Sequence, residues 1–173
     1  FIKNNHKYSE KNILDKLMFL KKEIPFNELF VLELDSIKGD DTNGHVDNMV
    51  RFIDDENLVY LASTDKSYVN YDLAKELKNQ LESIKKKSKI IKDIYPIFHD
   101  DRDTLYKSDK FYPYSKLNFI ITSNCIIFPS ISNNNLSIMD SLNGLPVSKI
   151  KYNINCDASL MEYGGLHCLS MNI

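Results

Sequence analysis

The 173-residue sequence has no long hydrophobic run, no strong excess of charge and no recognisable cysteine framework. No apolar stretch approaches the roughly 18 residues that predict a membrane-spanning helix. Lys and Arg total 22 against 24 Asp and Glu, so neither a nucleic acid nor an anionic membrane is expected as partner. The three cysteines, Cys125, Cys156 and Cys168, form no C-x-x-C pair, which indicates neither disulfides nor a zinc site. Free thiols favour a cytoplasmic protein.

Hydrophobic periodicity predicts an α+β fold in a single domain, because the length allows one sizeable core and not two. The most regular pattern places Leu73, Leu77, Leu81 and Ile84 on one face of a helix. Other helices are predicted at 13–20 and 136–142, and strands at 30–34, 49–53, 58–61, 90–98, 118–122 and 125–128, with weaker candidates at 149–154 and 166–171.

The order of these predicted elements repeats along the chain. A helix, a strand and a hairpin occur once, then again between Leu73 and Phe128, and a shorter third version is predicted from Leu136 to the end. Each unit spans about 60 residues, a period that indicates stacked ββαβ-like modules.

The first group of candidate functional residues lies in the stretch GDDTNGHVDN, residues 39–48. If residues 45 to 47 are extended, His45 and Asp47 point to the same side. The carboxylate can orient the imidazole, or it can bind a planar guanidinium through two hydrogen bonds. Gly39 and Gly44 allow tight turns and leave room for a ligand. The alternative is a histidine that is structural or merely solvated.

The second group is Tyr163-Gly164-Gly165-Leu166-His167-Cys168. Cys168 is a candidate nucleophile that needs a partner to take its proton. A strand over 166–171 places His167 on the opposite face, so His45 is the expected partner. The alternative is a cysteine that serves as a small buried hydrophobe, the interpretation that fits Cys125 and Cys156.

Together, GDDTNGHVDN and the C-terminal GGLHC resemble the motifs of the agmatine deiminases and the bacterial, Porphyromonas-type peptidylarginine deiminases of the guanidino-group-modifying superfamily. The resemblance implies a pentein α/β-propeller built from ββαβ repeats. Residues 1–173 are then the C-terminal part of one catalytic domain, about three of its five blades, and the N-terminal half is absent from this chain.

The resemblance also implies a reaction and its residues. Cys168 is expected to be the nucleophile, His45 the acid and base, and Asp47 a ligand of the guanidinium, with Asp41 and Gly165 also binding substrate. No metal or other cofactor is expected. Agmatine is the expected substrate, with arginine or peptidylarginine as the alternative, and the expected partners are the missing N-terminal half and a second copy in a homodimer.

Two hypotheses from other classes stand beside this one. A three-blade piece that exposes sheet edges can serve as a catalytically inactive assembly module. A Cys-His protease-like hydrolase is disfavoured, because the carboxylate of Asp47 suits a cation better than a peptide carbonyl.

Overall fold

The computed structural model describes residues 10–24, 26–40, 44–132 and 144–170. Its helices and strands follow one another in a mixed α and β order. They are α1 (Glu10–Glu23), β1 (Val50–Phe52), β2 (Asn57–Ala62), α2 (Tyr71–Lys87), β3 (Asp93–Phe98), β4 (Leu105–Lys107), β5 (Lys110–Tyr112), β6 (Ile120–Ile121), β7 (Cys125–Ser130), β8 (Ile150–Asn155) and α3 (Asp157–Met161). The helix predicted at 136–142 lies outside the described residues.

The first sheet has the strand order β1-β2-β3. Strands β1 and β2 are antiparallel, and the carboxylate of Asp54 closes their hairpin by accepting from the backbone N–H groups of Glu56 and Asn57. Strand β3 lies parallel to β2, and α2 makes the crossover between them. The predicted hairpin, helix and following strand are therefore confirmed.

The helix α2 is held by its apolar face. Ala74, Leu77 and Leu81 are buried in the main core against the first sheet. Burying a leucine side chain contributes roughly 1.5–3 kcal/mol. A single face of this helix therefore fixes the position of the whole ββαβ unit.

The second sheet repeats the arrangement of the first. Its order is β6-β7-β8, with β6 antiparallel to β7 and β8 parallel to β7. The predicted hairpin at 118–128 and the strand at 149–154 are confirmed. The two units begin at Val50 and Ile120. A third unit and the five-blade propeller remain predictions.

The predicted strand over 30–34 is wrong. Leu32 and Leu34 are buried as expected, but only Leu32 forms an isolated bridge. The side chain of Gln80 on α2 instead satisfies the backbone of Glu33, accepting from its N–H at 2.9 Å and donating to its carbonyl at 2.8 Å. A side-chain amide thus replaces the neighbouring strand.

A buried polar network fixes the segment that precedes β6. The Nδ1 atom of His99 lies 3.0 Å from the carbonyl oxygen of Ile97, and its Nε2 accepts from the backbone N–H of Lys116 at 3.0 Å. The ammonium of Lys116 pairs with Asp103 at 2.8 Å, both side chains being at most 1% exposed. Burial lowers the pKa of His99 to about 4. The network holds the turn that presents Asn118.

None of the described helices combines the length and apolar character that crossing a membrane requires.

Candidate active site

The loop before β1 positions His45 and Asp47. Gly44 has φ +112°, a conformation that glycine adopts without strain. His45 follows with extended backbone, and its N–H donates to Oδ2 of Asp40 at 3.1 Å. Residues Val46–Asn48 form one turn of 3₁₀ helix, so the extended conformation expected for 45–47 is wrong beyond His45. The turn nevertheless keeps the two side chains together.

Two further expectations concern the same loop. Asp41, predicted to bind substrate, lies outside the described residues. Gly39 has φ +93°, but the space beside it is filled, because a Cβ there would lie 2.7 Å from the carbonyl oxygen of Phe111. The absence of a side chain at Gly39 thus admits the backbone of β5 rather than a ligand.

Cys168 lies in a turn, so the strand predicted at 166–171 is wrong. Beyond α3 the chain reverses at Tyr163, which has φ +59°. The N–H of Leu169 then donates to the carbonyl of Gly165 at 3.1 Å and closes the turn. Consecutive side chains of a turn can face the same site, whereas those of a strand alternate.

This turn brings His167 into the site, contrary to the prediction that it faces away. Its Nδ1 lies 2.8 Å from Oδ2 of Asp47. Sequence reasoning missed this contact because it assumed strand alternation. The adjacency of His167 to the candidate nucleophile was the one available signal.

The structure brings together His45, Asp47 and Cys168. The sulfur of Cys168 lies 4.0 Å from Nδ1 of His45 and 3.7 Å from Oδ2 of Asp47. His45 and Cys168 are exposed, and Asp47 is half-buried. A sulfur, a ring nitrogen and a carboxylate therefore share one open site, and a thiol beside an imidazole is the pairing found in cysteine nucleophiles.

Asn118 connects the two halves of this site, and sequence reasoning gave it no role. It is buried, and its Nδ2 faces Oδ1 of Asn48 at 2.9 Å, Oδ2 of Asp47 at 3.3 Å and the sulfur of Cys168 at 3.5 Å. Its Oδ1 accepts from the N–H of His167 at 2.7 Å. One amide thus holds segments more than a hundred residues apart.

Gly165 is buried directly against this amide. A Cβ at Gly165 would lie 2.3 Å from Oδ1 of Asn118, closer than real Cβ contacts come. Glycine is therefore required here for close packing inside the site. Its predicted contact with substrate stays a prediction.

Arg51 of β1 holds the backbone on both sides of Asn118. Its guanidinium donates to the carbonyls of Phe119 and, at 3.3 Å, of Leu117, and it lies 4.3 Å from the centre of the Phe119 ring. Burial lowers the pKa of Arg51, and the nearby Asp47 and Cys168 oppose that change. These contacts give the guanidinium of Arg51 a structural role between β1 and the segment that precedes β6.

The cavity beside Cys168 is small, about 10 Å³. Its lining combines polar and apolar groups from the three segments described above. They are Asp40, His45, Asn48, Pro113, Asn118, Tyr163, Gly165 and Cys168. This volume holds about one water molecule.

Comparison with solved structures identifies the fold as the mixed α and β fold of deiminases. An agmatine deiminase of C. jejuni, solved with substrate bound, aligns with TM-score 0.75 and 23% identity over 95% of this chain and 46% of its own. An agmatine deiminase of Enterococcus faecalis aligns with TM-score 0.77 and 20% identity over 95% and 48%. The chain therefore spans about half the length of these proteins.

The family model of the Porphyromonas-type peptidyl-arginine deiminases matches residues 3–173. The chain belongs to this family. No curated protein matches it.

Proposed function

We propose that this chain carries the catalytic cysteine and histidine of a deiminase, which hydrolyses a guanidino C–N bond and releases ammonia. The observation that carries the proposal is the approach of the Cys168 sulfur to within 4.0 Å of His45 and 3.7 Å of Asp47. Membership of the peptidyl-arginine deiminase family supports the same class of reaction.

The first half of the reaction forms a covalent intermediate. The thiolate of Cys168 attacks the central guanidinium carbon and forms a C–S bond. His45 donates a proton to the departing nitrogen, the C–N bond breaks, and ammonia leaves an amidino-thioester on the sulfur.

The second half uses the same histidine as a base. His45 takes a proton from water as the water oxygen attacks the thioester carbon, and the C–S bond breaks to release a ureido product and the thiolate. Proton transfer of this kind contributes roughly 10²–10⁴-fold in rate. Asp47 binds the cation, and Asn118 keeps Asp47 and Cys168 in place.

Agmatine is the proposed substrate, giving N-carbamoylputrescine and ammonia. An arginine substrate brings a carboxylate, for which arginine side chains are the preferred partners. The sequence has two, Arg51 and Arg102. Arg51 is held by backbone carbonyls, and Arg102 pairs with Asp100 at 2.5 Å. Both guanidinium groups are already engaged by groups of this chain, which favours the distal amine of agmatine over the carboxylate of arginine.

The nucleophile is tested by assaying ammonia and ureido product with agmatine, arginine and a peptidylarginine, using the chain joined to its N-terminal half. Cys168→Ser is expected to abolish turnover while Cys125→Ser, at a half-buried thiol outside the site, retains it. Product formation by Cys168→Ser at the wild-type rate would refute the assignment. If the protein prefers peptidylarginine, the assignment of agmatine as substrate is refuted and the deiminase reaction stands. If the wild type is inactive on all three substrates, the alternative of a catalytically inactive assembly module is favoured.

The role of Asp47 is tested on the chain itself with two alkylating reagents, a cationic haloacetamidine and a neutral haloacetamide. The ratio of their rates at Cys168 measures attraction of a cation to the site. Asp47→Asn is expected to lower that ratio, and Asp54→Asn, in the exposed hairpin, is expected to leave it unchanged. An unchanged ratio in Asp47→Asn would exclude the carboxylate as the cation ligand.

A further inference from the structure

The fold assembles a set of metal-binding atoms that no sequence spacing indicates. His45 and Cys168 are 123 residues apart in the chain. Yet one ligand atom each from His45, Asp47 and Cys168 lies within 4.8 Å of the other two. A nitrogen, a carboxylate oxygen and a sulfur are the three kinds of ligand that proteins use for zinc.

The distances between these atoms are close to those of a tetrahedral site. With Zn–S near 2.3 Å and Zn–N or Zn–O near 2.0 Å, tetrahedral angles place the sulfur about 3.6 Å from the nitrogen and the oxygen. The observed separations from the Cys168 sulfur are 4.0 Å to His45 and 3.7 Å to Asp47. The third separation, from the His45 nitrogen to the Asp47 oxygen, lies within 4.8 Å, so the exposed side chains of His45 and Cys168 must move inward to complete the site.

The surrounding hydrogen bonds already orient the carboxylate. Oδ2 of Asp47 contacts Nδ1 of His167 at 2.8 Å and Nδ2 of Asn118 at 3.3 Å. Carboxylates that bind metals are commonly fixed in this way by an outer shell of hydrogen-bond donors. The thiolate selects a borderline metal such as Zn²⁺ over Mg²⁺ or Ca²⁺, which prefer oxygen ligands.

We propose that His45, Asp47 and Cys168 bind Zn²⁺ with water in the fourth position. Binding displaces the thiol proton to solvent and occupies the sulfur, the imidazole and the carboxylate together. The inhibitory consequence rests on the proposed function: Zn²⁺ then excludes a guanidine from the same three groups and acts as a reversible inhibitor. The metal site itself does not depend on turnover.

Thiol labelling tests the site in the chain alone. Iodoacetamide labelling of Cys168 and Cys125 is followed separately by mass spectrometry with ZnCl₂, with MgCl₂ and without metal. Zn²⁺ is expected to protect Cys168 and not Cys125, and Mg²⁺ is expected to protect neither. Protection is expected to be lost in Asp47→Asn and retained in Asp54→Asn. Equal protection of both thiols, or protection that survives in Asp47→Asn, would overturn the proposal.

Spectroscopy provides a measurement on the unaltered protein. Co²⁺ in place of Zn²⁺ is expected to give a thiolate-to-metal charge-transfer band that iodoacetamide-treated protein lacks. His167→Asn is expected to weaken metal binding by about 10- to 100-fold, the usual effect of removing an outer-shell partner. Absence of the band would refute the site even if deiminase activity were present, and a band without activity would refute only the proposed function.

Discussion

The buried imidazole of His99 makes the stability of the chain depend on pH. Its Nε2 accepts from the backbone N–H of Lys116, and its Nδ1 donates to the carbonyl of Ile97. A second ring proton would therefore point at an N–H donor. Burial lowers the pKa of His99 from 6.5 to about 4.

The sign and the size of the effect follow from these two values. Because the folded pKa of His99 is lowered, the unfolded chain binds more protons between pH 6.5 and 4, and stability falls as the pH falls. The contribution is complete above pH 6.5 and is lost progressively on acidification. Linkage predicts a loss of about 2 kcal/mol between pH 7.5 and pH 5. Carboxylates with lowered pKa values, such as Asp100, cause a further loss of stability below this pH window.

The assay is urea unfolding of the wild type and of His99→Gln at several pH values between 7.5 and 5. His99→Gln is expected to be less stable than the wild type at pH 7.5, because it loses the hydrogen-bonded ring. Between pH 7.5 and pH 5 its free energy of unfolding is expected to fall by about 2 kcal/mol less than that of the wild type. Contributions from groups common to both proteins cancel in the comparison. Parallel curves for the two proteins would refute the assignment of the buried, neutral ring.

Two further predictions concern packing and charge. Gly165→Ala is expected to cost about 1–3 kcal/mol in the free energy of unfolding, because its Cβ collides with Asn118. Gly164→Ala, which meets only the flexible Leu169 side chain at 3.1 Å, should cost less, and equal costs would contradict this. Lys116→Met is expected to cost about 3–5 kcal/mol, because it removes the cation that neutralises the buried carboxylate of Asp103. Lys85→Met, which breaks an exposed pair, should have a much smaller effect in the same unfolding measurement, and a similar loss in both would count against the reasoning.

The parts of the fold that could be predicted are those encoded locally. The helix α2 follows from leucines spaced every four residues, and both hairpins follow from apolar runs separated by short polar turns. The strand predicted at 30–34 failed because a distant glutamine, Gln80, provides its backbone partner. The sequence of residues 30–34 contains no pattern that predicts a contact with Gln80.

The candidate site shows the same division. His45, Asp47 and Cys168 lie in two distinctive motifs that predict a shared site, and the structure places their side chains together. His167 was placed wrongly because Tyr163 reverses the chain and converts an expected strand into a turn. Asn118 was not found because its role arises from contacts 49 to 71 residues away in sequence, which only the folded chain brings together.

The single amide of Asn118 makes three separate segments depend on one side chain. Aspartate there would match the shape but place a negative charge beside Asp47, and glutamine would keep the chemistry but extend the side chain into the site. A substitution in any one segment therefore changes which side chains the other two segments can accommodate. Related chains that have lost this asparagine should carry compensating substitutions at the positions of Asp47 and Gly165, and divergence at these positions should be correlated rather than independent.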